Sequence, residues 1–194
     1  MRNLKTNKLH KVEYKLRLLV VRVVKLFSEA GYRKTYTKLL RDFGMRIGEV
    51  GYIDPSSFFD NYDYSMIEIG DRTTISREVL FLTHDFSIAT GMNALGIADS
   101  YRFQKGIRIG ENCFIGARST ILPGTDIGKN CIIGAGAVVK GRIPDNSVVI
   151  GNPASVVANT LEWAENHRER KDFFSRQEAE IARNAGNFSV EDKE

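Results

Sequence analysis

Apolar positions in the second half of the chain fall on a six-residue beat. Ile109, Ile115, Ile121, Ile127, Ile133 and Val139 stand six apart, and Gly follows four of them, as Gly110, Gly116, Gly128 and Gly134. Four places after each of the first five comes a small or compact residue: Cys113, Ser119, Thr125, Cys131 and Ala137. A fixed short period predicts a solenoid. Each unit reads as a short flat strand and a turn, and three units close a triangular coil of about eighteen residues with its aliphatic positions inward. Successive coils would pair as a parallel ladder at about 4.8 Å. The Gly after the aliphatic is expected to serve the turn through its backbone freedom. One coil cannot bury its own interior, so stacked coils must share a core.

The beat extends upstream. Ile69-Gly70, Ile75 and Phe81 keep it, with Thr73 and Val79 at the small positions, and Ile47-Gly48, Ile53 and Phe59 form a weaker first coil. The register breaks after Phe59 and, for more than twenty residues, after Phe81, resuming at Ile107-Arg108-Ile109. Both breaks fall at one corner, so Asp60, Asn61, Tyr62 and Asp63 should lie beside the residues that follow Phe81. Before the coils the period becomes helical. Leu16, Leu19, Val20, Val23, Val24 and Phe27 share one face, Gly31 is expected to interrupt the helix, and a second helix should run from about Arg33 to Asp42. After the exit segment Ile150-Gly151-Asn152-Pro153-Ala154, one or two helices are expected to about Ala185, with Trp163, Phe173 and Phe174 as docking residues and 186–194 as a frayed end. The division is a helical region 1–44, a solenoid 45–158 carrying an inserted loop at about 85–106, and a helical tail 159–194.

Charge separates these parts. Residues 1–46 hold thirteen Lys and Arg against three acids, a balance of +10, so the remainder carries −6 of the total +4. That basic amphipathic start has two readings: a cap on the open solenoid end, or a surface that contacts an anionic membrane. No recognised module supports nucleic-acid binding. No run of eighteen apolar residues is present, and the N-terminus does not read as a cleaved secretion signal. Cytoplasmic residence, peripheral at the inner membrane face on the second reading, is expected. Cys113 and Cys131, eighteen apart, read as reduced, buried packing residues.

The aliphatic-Gly-small repeat resembles the left-handed parallel β-helix of the hexapeptide-repeat acyltransferases. Leu82-Thr83-His84-Asp85-Phe86, with the loop after it, resembles the branch that acetylates maltose, galactosides and polysaccharides. The resemblance covers about residues 45–158. It implies an all-β core with helical extensions at both ends, a left-handed winding, a homotrimer with sites between solenoids, and direct transfer from acetyl-CoA without a metal. It also implies His84 as catalytic base, and imidazole is the side chain suited to taking an alcohol proton near neutral pH. Backbone N–H groups of a neighbouring coil would meet the oxyanion.

Asp60, Asn61 or Asp63 could orient His84, with Asp85 a further candidate. Met92, Asn93, Tyr101 and Phe103 of the inserted loop, with Asp63 and Asp85, are candidates for contacting a sugar. By position, Phe114 stands for the tryptophan common in this branch, and Ala117 and Ala135 match small residues along the pantetheine groove. Lys140-Gly141-Arg142-Ile143-Pro144 replaces the usual Thr-Lys-Asp-Ile-Pro, which makes Lys140 and Arg142 candidates for phosphate contact. Ser155 stands where many relatives place arginine. The function implied is O-acetylation of a sugar hydroxyl in capsule, lipopolysaccharide or exopolysaccharide synthesis. N-acetylation of an amino-sugar nucleotide and a catalytically silent scaffold are the alternatives. A carbonic anhydrase on the same solenoid would need three histidines at a metal, and the coils offer His84 alone, since His10 and His167 lie in the extensions.

Overall fold

The computed structural model describes residues 8–60, 63–97 and 99–185. Asn61, Tyr62 and the expected frayed end 186–194 lie outside the described residues. Short strands, most of two or three residues, stack in parallel into three sheets, one on each side of a coiled chain. The first side holds Arg46–Ile47, Ile67–Ile69, Ile107–Ile109, Asp126–Ile127 and Arg142–Ile143. The second holds Tyr52–Ile53, Thr74–Ile75, Phe114–Ile115, Ile132–Ile133 and Ser147–Gly151, and the third Phe58–Phe59, Leu80–Phe81, Thr120–Ile121 and Val138–Val139. Register advances one coil at a time, Ile75 to Ile115 to Ile133 and Phe81 to Ile121 to Val139. Both repeating positions point inward: the aliphatic column and the small column from Thr73 through Ala137 are buried. Polar members of the small column are satisfied locally, as where Ser119 Oγ donates to Gly116 O at 2.8 Å and Thr125 Oγ1 to Leu122 O at 2.7 Å. Cys113 and Cys131 are buried free thiols.

The repeating glycine has a different role from the one its freedom suggests. Gly110 and Gly116 are absent from the left-handed region, but a Cβ at Gly116 would stand 2.5 Å from the Ala135 nitrogen, and one at Gly110 would stand 2.5 Å from Gly128 O. The next coil passes too close for any side chain. Left-handed backbone falls two residues later, again with period six, at Asn112, Arg118, Gly124, Asn130 and Gly136, with φ between 54° and 81°. Asparagine tolerates that region, and here it also bonds along the stack: Asn112 Nδ2 donates to Asn130 Oδ1 at 2.9 Å, and Asn130 Nδ2 to Asn146 Oδ1 at 2.8 Å.

Two helices lie across the first coil, α1 (Lys8–Phe27) and α2 (Glu29–Asp42). The break between them falls at Ser28, not Gly31, because the Ser28 hydroxyl accepts from Gly31 N–H at 2.9 Å and caps α2. Tyr32, Tyr36, Leu39 and Leu40 of α2 are buried with Val21 of α1. Lys25 donates to Tyr52 Oη at 2.8 Å and lies 3.7 Å from Asp54, which ties α1 to the first coil. Five of the six residues of the expected apolar face are turned outward, Leu16, Leu19, Val20, Val23 and Phe27 being exposed, while Val24 packs against the core with Tyr14, Leu18 and Val21.

At the far end the chain reverses after Gly151, and Ala154–Asn159 pairs antiparallel with Ser147–Gly151. Two further helices follow, Thr160–Arg170 and Arg176–Ala185. Trp163, Phe173 and Phe174, expected to dock, are exposed, and neither helix buries a residue.

Candidate active site

Phe59 and Phe81 stack one above the other at the end of the third side, ring centroids 4.8 Å apart. Their shared register carries the chain after each into contact. Asp60, 5% exposed, follows Phe59, and its Oδ2 accepts from Thr83 N–H at 3.1 Å, from Thr83 Oγ1 at 2.8 Å and from His84 Nδ1. Thr83 is itself buried. With the proton of Nδ1 directed to the carboxylate, the ring is held in one tautomer and the basic lone pair sits on Nε2. The imidazole remains 24% accessible and meets Phe86 edge to face at 5.5 Å.

The inserted loop begins and ends as a two-stranded ribbon. His84–Asp85 pairs antiparallel with Phe103–Gln104, His84 opposite Gln104 and Asp85 opposite Phe103. Opposed residues share a face and neighbours alternate, so His84 and Gln104 occupy one face, toward the first coils, where Gln104 Nε2 reaches Met66 Sδ at 3.4 Å. Asp85 and Phe103 occupy the other, toward the later coils. There, Asp85, Ser87, Phe103 and Lys105 face Leu122, Pro123 and Lys140 across a recess of about 140 Å³. Between the ribbon strands runs a short helix, Ser87–Ala94, which carries half-buried Met92 and exposed Asn93; Tyr101 is half-buried in the return segment.

Among the orienting candidates, Asp60 touches His84. Asp63 instead caps the turn Tyr64–Met66, accepting from Ser65 N–H at 2.9 Å. Asp85 accepts from Ser87 N–H at 2.9 Å and from its hydroxyl at 2.5 Å, and those bonds, with Lys140 and His84 nearby, hold its carboxyl below the usual range. Asn61 lies outside the described residues. Thr83 and Gln104 join this site without having been singled out in the sequence. Thr83 carried a weak signal, as a polar residue two places after an inward Phe; Gln104 carried none, because ribbon pairing across the loop has no period.

Of the residues considered for the donor, Lys140 shares the His84 corner and the others lie apart from it. Phe114 is exposed on the second side. Ala117 and Ala135 stack at the corner between second and third sides, where Gly136 N–H donates to Ala117 O at 2.8 Å. Lys140 is exposed at the His84 corner, and Arg142 starts the first side beyond it, opposite Asp126. Within one chain, the small-residue column and the imidazole are therefore on different corners of the triangle.

A family model described as the hexapeptide repeat of succinyl-transferase matches residues 106–140. Protein CapG of Staphylococcus aureus is 34% identical over 152 residues, spanning 77% of this chain and 86% of CapG. The putative lipopolysaccharide biosynthesis O-acetyl transferase WbbJ of Escherichia coli K12 is 33% identical over 96 residues, 47% of this chain and 49% of that protein, so the chain spans about half its length. Among solved structures, a maltose O-acetyltransferase from Clostridium difficile 630 shares the fold with a TM-score of 0.54 at 24% identity, covering 79% of this chain and 89% of that one.

Proposed function

The chain belongs to the hexapeptide-repeat acyltransferase family, and from that premise we propose that it transfers an acetyl group from acetyl-CoA to a sugar hydroxyl, with His84 as general base. The observation that carries the reading is the His84–Asp60 pair, an accessible imidazole fixed through Nδ1 by a buried carboxylate at the root of a loop that leaves the coil. Acetyl-CoA supplies a thioester already activated for attack, so no nucleophilic side chain is required. His84 Nε2 takes the proton from the acceptor hydroxyl as its oxygen bonds to the acetyl carbon. The carbon–sulfur bond breaks, and the imidazolium returns the proton to the leaving thiolate. Asp60 holds the ring in line and supports its transient positive charge.

The separation of His84 from Phe114, Ala117 and Ala135 within one triangle supports a shared site. Side-by-side solenoids bring the His84 corner of one copy against another copy's small-residue column, which has room for a thin pantetheine arm. A homotrimer of left-handed β-helices, working in the cytoplasm on a surface-polysaccharide intermediate, fits this arrangement, and the E. coli relative's name points to the same acceptor class. On this reading Met92 and Tyr101 of the inserted loop are the candidates for contact with the sugar, and Lys140 and Arg142 those for contact with the donor phosphates.

The test is thiol release from acetyl-CoA in the presence of a panel of neutral sugars, amino sugars and their nucleotides, with mass spectrometry of the product. Release that depends on a hydroxyl-only sugar is the expected result. Release only with free amines would replace the acceptor assignment, and no release with any acceptor would remove the transfer reading.

A further inference from the structure

The acetyl-transfer reading leaves the outward face of α1 unused. At 100° per residue, Leu16, Leu19, Val20, Val23, Leu26 and Phe27 fall within an arc of about 120°. All six are exposed, Leu26 at 80% and Phe27 at 85%. The opposite face of the same helix is committed to the fold through Tyr14, Val21 and Lys25, so α1 is apolar on two sides and covered on one. Lys15 and Arg22 run along one edge of the outward stripe, and neither has an acidic partner among the described residues. Three residues on from Phe27 begins a recess of about 490 Å³, lined by Gly31, Arg33, Lys34, Thr37 and Arg41, with Glu49 as its one acid among the described residues. Between residues 8 and 42 stand ten Lys and Arg against three acids.

We infer that this end of the solenoid docks on an anionic lipid surface, with α1 lying in the interface. An apolar stripe with cations along one edge, on a helix anchored from behind, matches the chemistry of acyl chains below a layer of negative headgroups. A second copy of the same face would set Lys15, Arg22 and Lys34 against their own kind, which makes self-association the poorer match. No helix among the described residues is long and apolar enough to cross a bilayer, so α1 lies along the surface. Both helices cross the mouth of the first coil, so in a side-by-side trimer the three stripes point the same way and bind together.

The experiment is flotation of the full chain with phosphatidylcholine vesicles, with and without about one third phosphatidylglycerol. The wild type is expected to float with the anionic vesicles, to stay behind with the zwitterionic ones, and to release as salt rises. Leu19→Asp with Phe27→Asp should lower the floated fraction at least about tenfold, and Lys15→Gln with Arg22→Gln should lower it and flatten the salt dependence. These positions are exposed, and circular dichroism checks that each variant is folded; the charge pair serves if the apolar pair is not. Three outcomes overturn the inference: a wild type that does not float with anionic vesicles, an apolar-stripe variant that floats like wild type, and a wild-type assembly that the same variant reduces in size, which would assign the stripe to a second copy. Flotation needs no catalysis, so its failure and a failure of acetyl transfer are read separately.

Discussion

Asp60 collects three donors on one carboxylate oxygen in a place that water hardly reaches, and that concentration sets the cost of altering it. Asp60→Ala takes the shared acceptor from the two Thr83 donors and from His84 Nδ1, and a loss of about 1–3 kcal/mol in chemical denaturation is expected with the loss of turnover. Thr83→Val removes a single donor at nearly constant shape. Its expected effect is a fall in kcat of about three- to thirtyfold with KM for acetyl-CoA unchanged, the pattern of a positioning residue. A purely structural Thr83 would lower stability without moving kcat. The pairing of the Asp60 and His84 corners was legible because Phe59 and Phe81 occupy one column of the period, whereas Thr83 and Gln104 answer to contacts the period does not encode. The repeat glycine was legible as a requirement but not in its reason. Gly116→Ala should destabilise by several kcal/mol, since a Cβ 2.5 Å from backbone has nothing flexible to displace. Gly136→Asn, in the left-handed region with open space around it, should change stability by less than about 1 kcal/mol.

At the scale of elements, the helical hairpin is held to the first coil by a mixed contact of Lys25, Tyr52 and Asp54. Burial alone would raise the Asp54 carboxyl, but bonds from Ser56 and Tyr52, with Lys25 nearby, hold it below the usual range. A carboxyl whose pKa is lowered by folding contributes stability above its unfolded value and loses it as pH falls through the folded one. The hairpin should therefore loosen below about pH 4. Melting temperature followed from pH 7 to pH 3 should fall less steeply in Asp54→Asn than in wild type, and parallel curves would reject this contact as the acid-sensitive one. Helical periodicity located α1 and its apolar face. It did not say which side would be covered, because Leu18, Val21 and Val24 form a second apolar face that packs inward with the amphipathic Tyr14 and Lys25.

For the whole molecule, the division of the candidate site between two corners has a direct consequence. A His84→Ala chain and an Ala135→Trp chain, each expected to be inactive alone, should regain part of the wild-type rate when unfolded and refolded together, because mixed assemblies contain some sites with an intact corner from each. Unchanged inactivity in an assembly shown by mass to be mixed would place donor and base in one chain. The solenoid was readable from six-residue spacing because one constraint, a shared inward column, repeats in every coil. The exposed Trp163, Phe173 and Phe174 were not, since the composition of a tail does not reveal whether its own chain or another surface receives it.

The most direct test of the central claim compares wild type with His84→Ala, measuring acetyl-CoA binding by calorimetry and acceptor-dependent turnover on the same preparations. The expected result is unchanged donor affinity with turnover lower by about 10² to 10⁴. Turnover in His84→Ala equal to that of wild type would contradict the assignment of His84 as the base.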